Sequence, residues 1–126
     1  TQFEGSSKIT KGQEQLSKLI LPFFENMINE LRYNPELFKL VMYFGGHSKL
    51  IKKIVKKEKM TLIAYAGSSE KSMPWMDFYL TFMMEGMLAT IFLWKEMDYP
   101  VSDDEIAVFL SGITASIGTS GMALMD

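Results

Sequence analysis

The residues from Pro74 to Met97 constrain this chain most, because they form a helix-length segment that is apolar on two sides. At 3.6 residues per turn, the apolar side chains of this segment fall into two rows. The first row comprises Met76, Leu80, Met83, Met87, Ile91 and Trp94, and the second comprises Trp75, Tyr79, Phe82, Gly86, Ala89 and Leu93. A surface helix needs only one apolar stripe, so we expect burial on both sides. Either the helix is the centre of its own bundle, or its second side contacts another molecule.

The composition is that of one ordinary globular domain covering residues 1–126. The chain has 48% hydrophobic residues and a net charge of −2, which indicate neither disorder nor a nucleic-acid-binding surface. It contains no cysteine, so disulfides, thiol nucleophiles and cysteine-based zinc sites are excluded. Because the chain begins with a threonine and has no leader sequence, we expect it to be part of a longer protein.

Residues 106–125 contain no charged side chain and are long enough to cross a bilayer. However, eight of these 20 residues are Ser, Thr or Gly, so the segment is poorly hydrophobic. We therefore predict no membrane-spanning segment, no membrane partner and a cytoplasmic location.

Two helices are predicted in the first third of the chain. The first begins at a capping box that starts with Thr10, and its apolar residues then recur every three or four positions. Pro22 lies inside this pattern and is expected to kink or split the helix. The sequence Asn34-Pro35-Glu36 predicts the start of a short second helix, which Gly45-Gly46 would end.

A lysine-rich helix is predicted from Ser48 to about Ala66, with one apolar stripe and six lysines between positions 49 and 59. Clustered lysines can bind phosphates, and a basic amphipathic helix can lie on an anionic membrane. No aromatic residue lies between Phe44 and Tyr65 to stack on bases or to anchor in lipid. We therefore interpret the lysines as a solvated outer face.

The last third contains the segment from Pro74 to Met97, a turn and a final helix. A loop is predicted for residues 67–73 and a turn at Asp98-Tyr99-Pro100. Ser102 and Glu105 have the spacing of a second capping box. The final helix has a bulky face and a small face; the small face contains Ala107, Ser111, Thr114 and Gly118. The sequence therefore predicts an all-α bundle of five or six helices.

Few residues suggest catalysis. A nucleophilic triad needs a base, and His47 is the only histidine that could serve as one. No Glu-x-x-His metal motif is present. A lone histidine after Gly-Gly is interpreted as a capping or half-buried residue, or else as a ligand contact. Glu85 shares a helix face with Asp77 and Thr81, which indicates a narrow solvated stripe or the polar end of a pocket. We predict no enzymatic activity, no metal and no cofactor.

The order of these segments resembles the C-terminal, effector-binding and dimerisation domain of TetR-family (tetracycline-repressor-like) transcriptional regulators. The resemblance is carried by NPELFKLVMYFGG after a first amphipathic helix, by FYLTFMMEGMLATIFLWKEMDYP ending near Trp94, and by SDDEIAVFLSGI. It covers roughly residues 10–120. It implies that the last two helices pair with those of a second copy as a four-helix bundle, and that the preceding helices enclose a small-molecule pocket.

Two sets of site residues follow from this resemblance and from the helix faces. The ligand pocket is predicted to be lined by aromatic and thioether side chains on inner helix faces: Phe23, Phe24, Met27, Phe44, His47, Trp75, Tyr79 and Met83. The homodimer interface is predicted at the end of the long apolar helix and on the small face of the last helix: Leu88, Ile91, Phe92, Trp94, Ala107, Ser111, Ala115 and Gly118.

The resemblance predicts a ligand-sensing homodimer that responds to a small apolar or amphipathic effector. The family's helix-turn-helix lies N-terminal to this domain, and residues 1–33 do not supply it. DNA binding, as a repressor or an activator, would therefore belong to an N-terminal domain that is not in this chain. The alternative is a helical homodimeric interaction protein without a functional pocket.

Overall fold

The computed structural model describes residues 11–43, 46–66 and 73–125. These residues form five helices and no strand, which confirms the all-α class. The helices are α1 (Lys11–Tyr33), α2 (Pro35–Tyr43), α3 (Gly46–Ala66), α4 (Met73–Glu96) and α5 (Asp103–Met125). Thr10 and residues 67–72, where the first cap and a loop were predicted, lie outside the described residues.

Pro22 was expected to kink or split α1; the helix continues through it, so the split is wrong. Proline removes one backbone hydrogen bond, but Pro22 lies on the exposed side of α1, where water can satisfy the freed carbonyl. On the other side, Leu16, Phe24 and Ile28 are buried before and after the proline. This packing holds the two halves of α1 in one helix.

The predicted caps at Asn34 and Ser102 and the turn before α5 are confirmed. The Asn34 Oδ1 atom accepts a hydrogen bond from the Leu37 backbone N–H at 3.2 Å and caps α2. Ser102 and Glu105 form a complete capping box: the Ser102 N–H donates to Glu105 Oε1 at 3.0 Å, and the Glu105 N–H donates to Ser102 Oγ at 3.1 Å. Asp98 and Tyr99 have φ values of 60° and 56°, which turn the chain between α4 and α5.

One hydrophobic core draws on all five helices. Its fully buried side chains are Phe24, Ile28 and Leu31 of α1 and Met87, Leu88 and Ile91 of α4. α1 packs most extensively on α5, and α3 packs mainly on α4. The first apolar row of α4, from Met76 to Trp94, is buried throughout. The expectation of a core-facing row on this helix is confirmed.

The second apolar row of α4 is not buried by the chain itself. Trp75, Phe82 and Leu93 are exposed, as are Gly86 and Ala89, and only Tyr79 of this row is half-buried. The described part of the chain therefore covers one side of α4 and leaves the other open.

Candidate functional site

The exposed row of α4 continues onto α5. We call this surface the outer apolar face; it comprises Trp75, Phe78, Phe82 and Leu93 of α4 and Val108, Phe109, Ile113 and Ile117 of α5. Trp75, Phe78 and Phe82 are 51%, 60% and 67% exposed. The two antiparallel helices are neighbours, since the Tyr79 hydroxyl donates a hydrogen bond to the Thr114 carbonyl at 2.6 Å. The two helices that carry these exposed side chains are therefore in contact.

The size of the outer apolar face is unusual for a monomer. Its eight side chains are each at least 40% exposed, which corresponds to an apolar area on the order of 800 Å² for side chains of this size. Soluble monomers rarely expose apolar patches above a few hundred Å². A standard protein–protein interface buries about 800 Å² on each partner. The face thus has the dimensions of an interface.

The structure corrects the residues that were assigned to a dimer interface on α4. Leu88 and Trp94 are 0% and 3% exposed, and Ile91 is equally buried, so they have no surface to offer a second molecule. Phe92 is half-buried and stacks on Phe38 of α2, with ring centroids 6.2 Å apart. For Phe92, the short helix α2 supplies a contact that the sequence pattern did not reveal.

The small face of α5 is also corrected. Ala107, Ser111 and Ala115 are at most 1% exposed, because this face packs inside the chain, where α5 lies mainly against α1. A Cβ atom on Gly118 would lie 2.6 Å from the Tyr79 hydroxyl oxygen and 3.4 Å from Leu16 Cδ2. Small residues do allow a helix to approach closely, but the approaching elements belong to the same chain. The surface of α5 that remains open is the bulky one.

Five of the eight predicted pocket residues lie in or against the main core. Phe24 and Met83 are buried in the main core, and Phe23, Met27 and Tyr79 pack against it. Phe23 and Phe24 are in edge-to-face contact, with centroids 5.3 Å apart. None of these five residues lines either of the two clefts described below.

The other three predicted pocket residues do not join this group. Trp75 lies on the outer apolar face, in edge-to-face contact with Phe78 at 5.5 Å, so its assignment to an inner helix face is wrong. Phe44 and the side chain of His47 lie outside the described residues.

A cleft of about 700 Å³ separates α3 from α4. Three lysines of α3 (Lys52, Lys56 and Lys59) face the polar stripe of α4 (Asp77, Thr81 and Glu85), and Ile51 and Val55 form an apolar floor. The Lys59 Nζ atom lies 3.0 Å from Asp77 Oδ1 and closes one end with an ion pair. The sequence left this stripe of α4 open as a solvated stripe or the polar end of a pocket, and it did not show that lysines face it. Matching four-residue spacing of opposite charges on consecutive helices is the signal that could have revealed the cleft.

A second, shallower cleft lies where α1 meets the turn before α5. Arg32 forms an ion pair with Asp103, and its guanidinium lies over the ring of Tyr99 at 4.2 Å. The Trp94 indole N–H donates to the Val101 carbonyl at 2.9 Å, and Tyr99 contacts Trp94 edge-to-face. Because Arg32 and Asp103 pair across this cleft, we interpret it as a structural clamp between α1 and α5.

Two titratable groups near these elements are perturbed. Burial raises the pKa of the Tyr79 hydroxyl well above its ordinary value. Hydrogen bonds from the Ser102 backbone and side chain lower the pKa of Glu105. Neither group lies in the α3–α4 cleft. In the described ranges, no group of three or more His, Asp or Glu residues could hold a metal ion.

Comparison with known proteins identifies no relative: no protein-family model, curated protein or solved structure matches the chain. Within the described residues, one segment, Pro74–Glu96 of α4, is long and apolar enough to cross a membrane. The core helix of a soluble protein meets the same criterion, and one side of α4 forms the centre of this core.

Proposed function

We propose that this chain is the dimerisation and effector-responsive domain of a transcriptional regulator of the TetR type. The observation that carries the proposal is the outer apolar face, because it lies on the last two helices of an all-α bundle. Two copies of α4 and α5, related by a two-fold axis, would bury this face in a four-helix bundle. The corrected interface residues include Phe78, Phe82 and Ile113 rather than the buried side chains of the same helices.

In this proposal the chain does not contact DNA itself. The homodimer would set the distance between two DNA-binding domains attached N-terminal to α1, whose half-sites lie about one helical turn apart. A small apolar or amphipathic effector would shift the helices and change that distance.

A second candidate is a homodimeric interaction protein without an internal ligand pocket. It is favoured by the burial of Phe24 and Met83, two of the predicted pocket residues, in the main core. Both candidates require the same dimer, so the dimer is tested first.

Sedimentation equilibrium at micromolar concentration tests the interface. We expect a wild-type dimer and a folded monomer for Phe82→Glu, since the two-fold axis places two charges in the apolar interface and the loss is several kcal/mol per dimer. Leu40→Glu is the matched control, because Leu40 is 54% exposed on α2, away from the outer apolar face. A wild-type monomer, or a Phe82→Glu protein that dimerises as tightly as Leu40→Glu, would overturn the proposal.

A further inference from the structure

We infer that the cleft between α3 and α4 binds an amphipathic monoanion, such as a medium-chain alkyl carboxylate. This inference deepens the proposed function by naming the effector class, and its regulatory meaning rests on that proposal. The cleft volume of about 700 Å³ falls within the range of roughly 300–1,000 Å³ that is usual for small-molecule sites.

The charges in the cleft favour an anion. Lys59 is paired with Asp77, so these two charges neutralise each other at one end. Lys52 and Lys56 line the cleft and are exposed, and neither has an ion-pair partner among the described residues. They are four positions apart on α3, which brings their side chains to the same face. One carboxylate can therefore contact both ammonium groups.

The rest of the cleft requires an apolar portion next to that charge. Val55 is half-buried at the floor, next to the buried Ile51, so an alkyl chain can lie against the exposed part of Val55. Thr81 provides a hydroxyl on the opposite wall, which also carries the Glu85 carboxylate. A ligand with one anionic group and one apolar chain fits this distribution better than a fully apolar molecule or a polyanion.

The cleft is connected to the proposed dimer interface through α4. Asp77 and Thr81 line the cleft, and the next residues in the chain, Phe78 and Phe82, lie on the outer apolar face. A ligand that changes the spacing between α3 and α4 therefore displaces a helix that also carries the interface. Ligand binding in the cleft can therefore change the geometry of the proposed dimer interface.

Isothermal titration calorimetry with laurate, below its micellar concentration, tests the inference. We expect one saturable site per chain in the wild type and an increase in Kd of about tenfold or more in the double variant Lys52→Gln/Lys56→Gln. The matched control is Lys53→Gln/Lys57→Gln, which removes the same charge from exposed positions of α3 that do not line the cleft. The control should bind laurate within about twofold of the wild type.

Dodecyltrimethylammonium, which has the same chain and the opposite charge, should not bind. Absence of saturable laurate binding, equal losses in the two double variants, or equal binding of the cationic analogue would each overturn the inference. Sedimentation of the same variants separates this result from the proposed function. A dimer that lacks laurate binding disproves the effector class alone, whereas a monomer that binds laurate disproves the dimer alone.

Discussion

The Tyr79 side chain of α4 packs directly against Gly118 of α5. The Tyr79 hydroxyl donates to the Thr114 carbonyl at 2.6 Å and occupies the space that a Cβ on residue 118 would need. The backbone of residue 118 is helical, so its conformation does not require a glycine. Packing against Tyr79 is therefore the reason for a glycine at this position. The contact ties the N-terminal half of α4 to the C-terminal half of α5.

Substitution Gly118→Ala should destabilise the protein by about 1–3 kcal/mol, because the new methyl group overlaps the Tyr79 ring end and hydroxyl. Gly112→Ala is the matched control on the same helix, since a Cβ there meets no other atom within 4 Å. The control should be stabilised by about 0.5–1 kcal/mol through helix propensity. Urea denaturation measures both changes. Equal effects in the two variants would contradict the packing at Gly118.

Removal of the Tyr79 hydroxyl should change the alkaline stability of the protein. Burial raises the pKa of this group above the unfolded value of 10.0, so the unfolded state loses the proton first and stability falls as pH rises above about 10. Tyr79→Phe lacks this titration and should show a shallower decline. At neutral pH the free energy of unfolding of this variant should be lower by about 1 kcal/mol, because the hydrogen bond to the Thr114 carbonyl is missing. Thermal unfolding at pH 8 and pH 10.5 compares the two proteins, and parallel declines would refute the assignment.

The clamp at Arg32 should contribute more to stability than an ordinary surface ion pair. The side chains of Arg32 and Asp103 are 27% and 32% exposed, and the guanidinium also packs on Tyr99. Arg32→Gln should therefore cost about 1–2 kcal/mol. In the control pair, Lys18 and Glu14 are 76% and 58% exposed, so Lys18→Gln should change stability by less than about 0.5 kcal/mol. Chemical denaturation that ranks the two variants in the opposite order would rule out the clamp.

The capping box at Ser102 should give α5 an acid-dependent stability. Hydrogen bonds from Ser102 lower the pKa of Glu105 in the folded state, so the stabilisation is present above the unfolded pKa of 4.5 and is lost as pH falls below it. At pH 7 the wild type should melt at a higher temperature than Glu105→Gln, which keeps the shape but not the charge. At pH 3 the two melting temperatures should converge. A constant difference across this range would show that the charge has no role.

Tryptophan fluorescence should report the proposed dimer through Trp75. Trp94 is buried within the single chain, whereas Trp75 is half exposed on the outer apolar face. Acrylamide quenching of the wild type should therefore decrease as protein concentration rises through the dimerisation range. Trp75→Phe, which retains only Trp94, should show no such change. If the variant keeps the concentration dependence, Trp75 lies outside the interface.

The sequence predicted the local elements well because their signals involve residues close in the chain. The cap at Asn34, the capping box at Ser102 and the turn at Asp98-Tyr99 each depend on contacts within a few positions, and all three occur in the structure. The continuity of α1 through Pro22 was not predicted. It depends on which side of the helix faces solvent, and only the packing of α1 determines this.

The assignment of surfaces required the tertiary structure. The two apolar rows of α4 look equivalent in the sequence, yet one forms the core and the other remains open. The small face of α5 predicted close helix packing correctly, but the structure shows that α1 and Tyr79 occupy it. Likewise, the lysines of α3 border a cleft only because the polar stripe of α4 lies opposite them.

The sequence by itself thus determined the class of fold, the main helices and the presence of more apolar helix surface than one face needs. Helix periodicity and capping depend on residues that are close in sequence, so they can be predicted from the sequence alone. The tertiary structure decided which apolar surface is core and which is available to a partner. That choice depends on the distance and order of helices far apart in sequence, because each buried row is stabilised only by the particular helix that covers it.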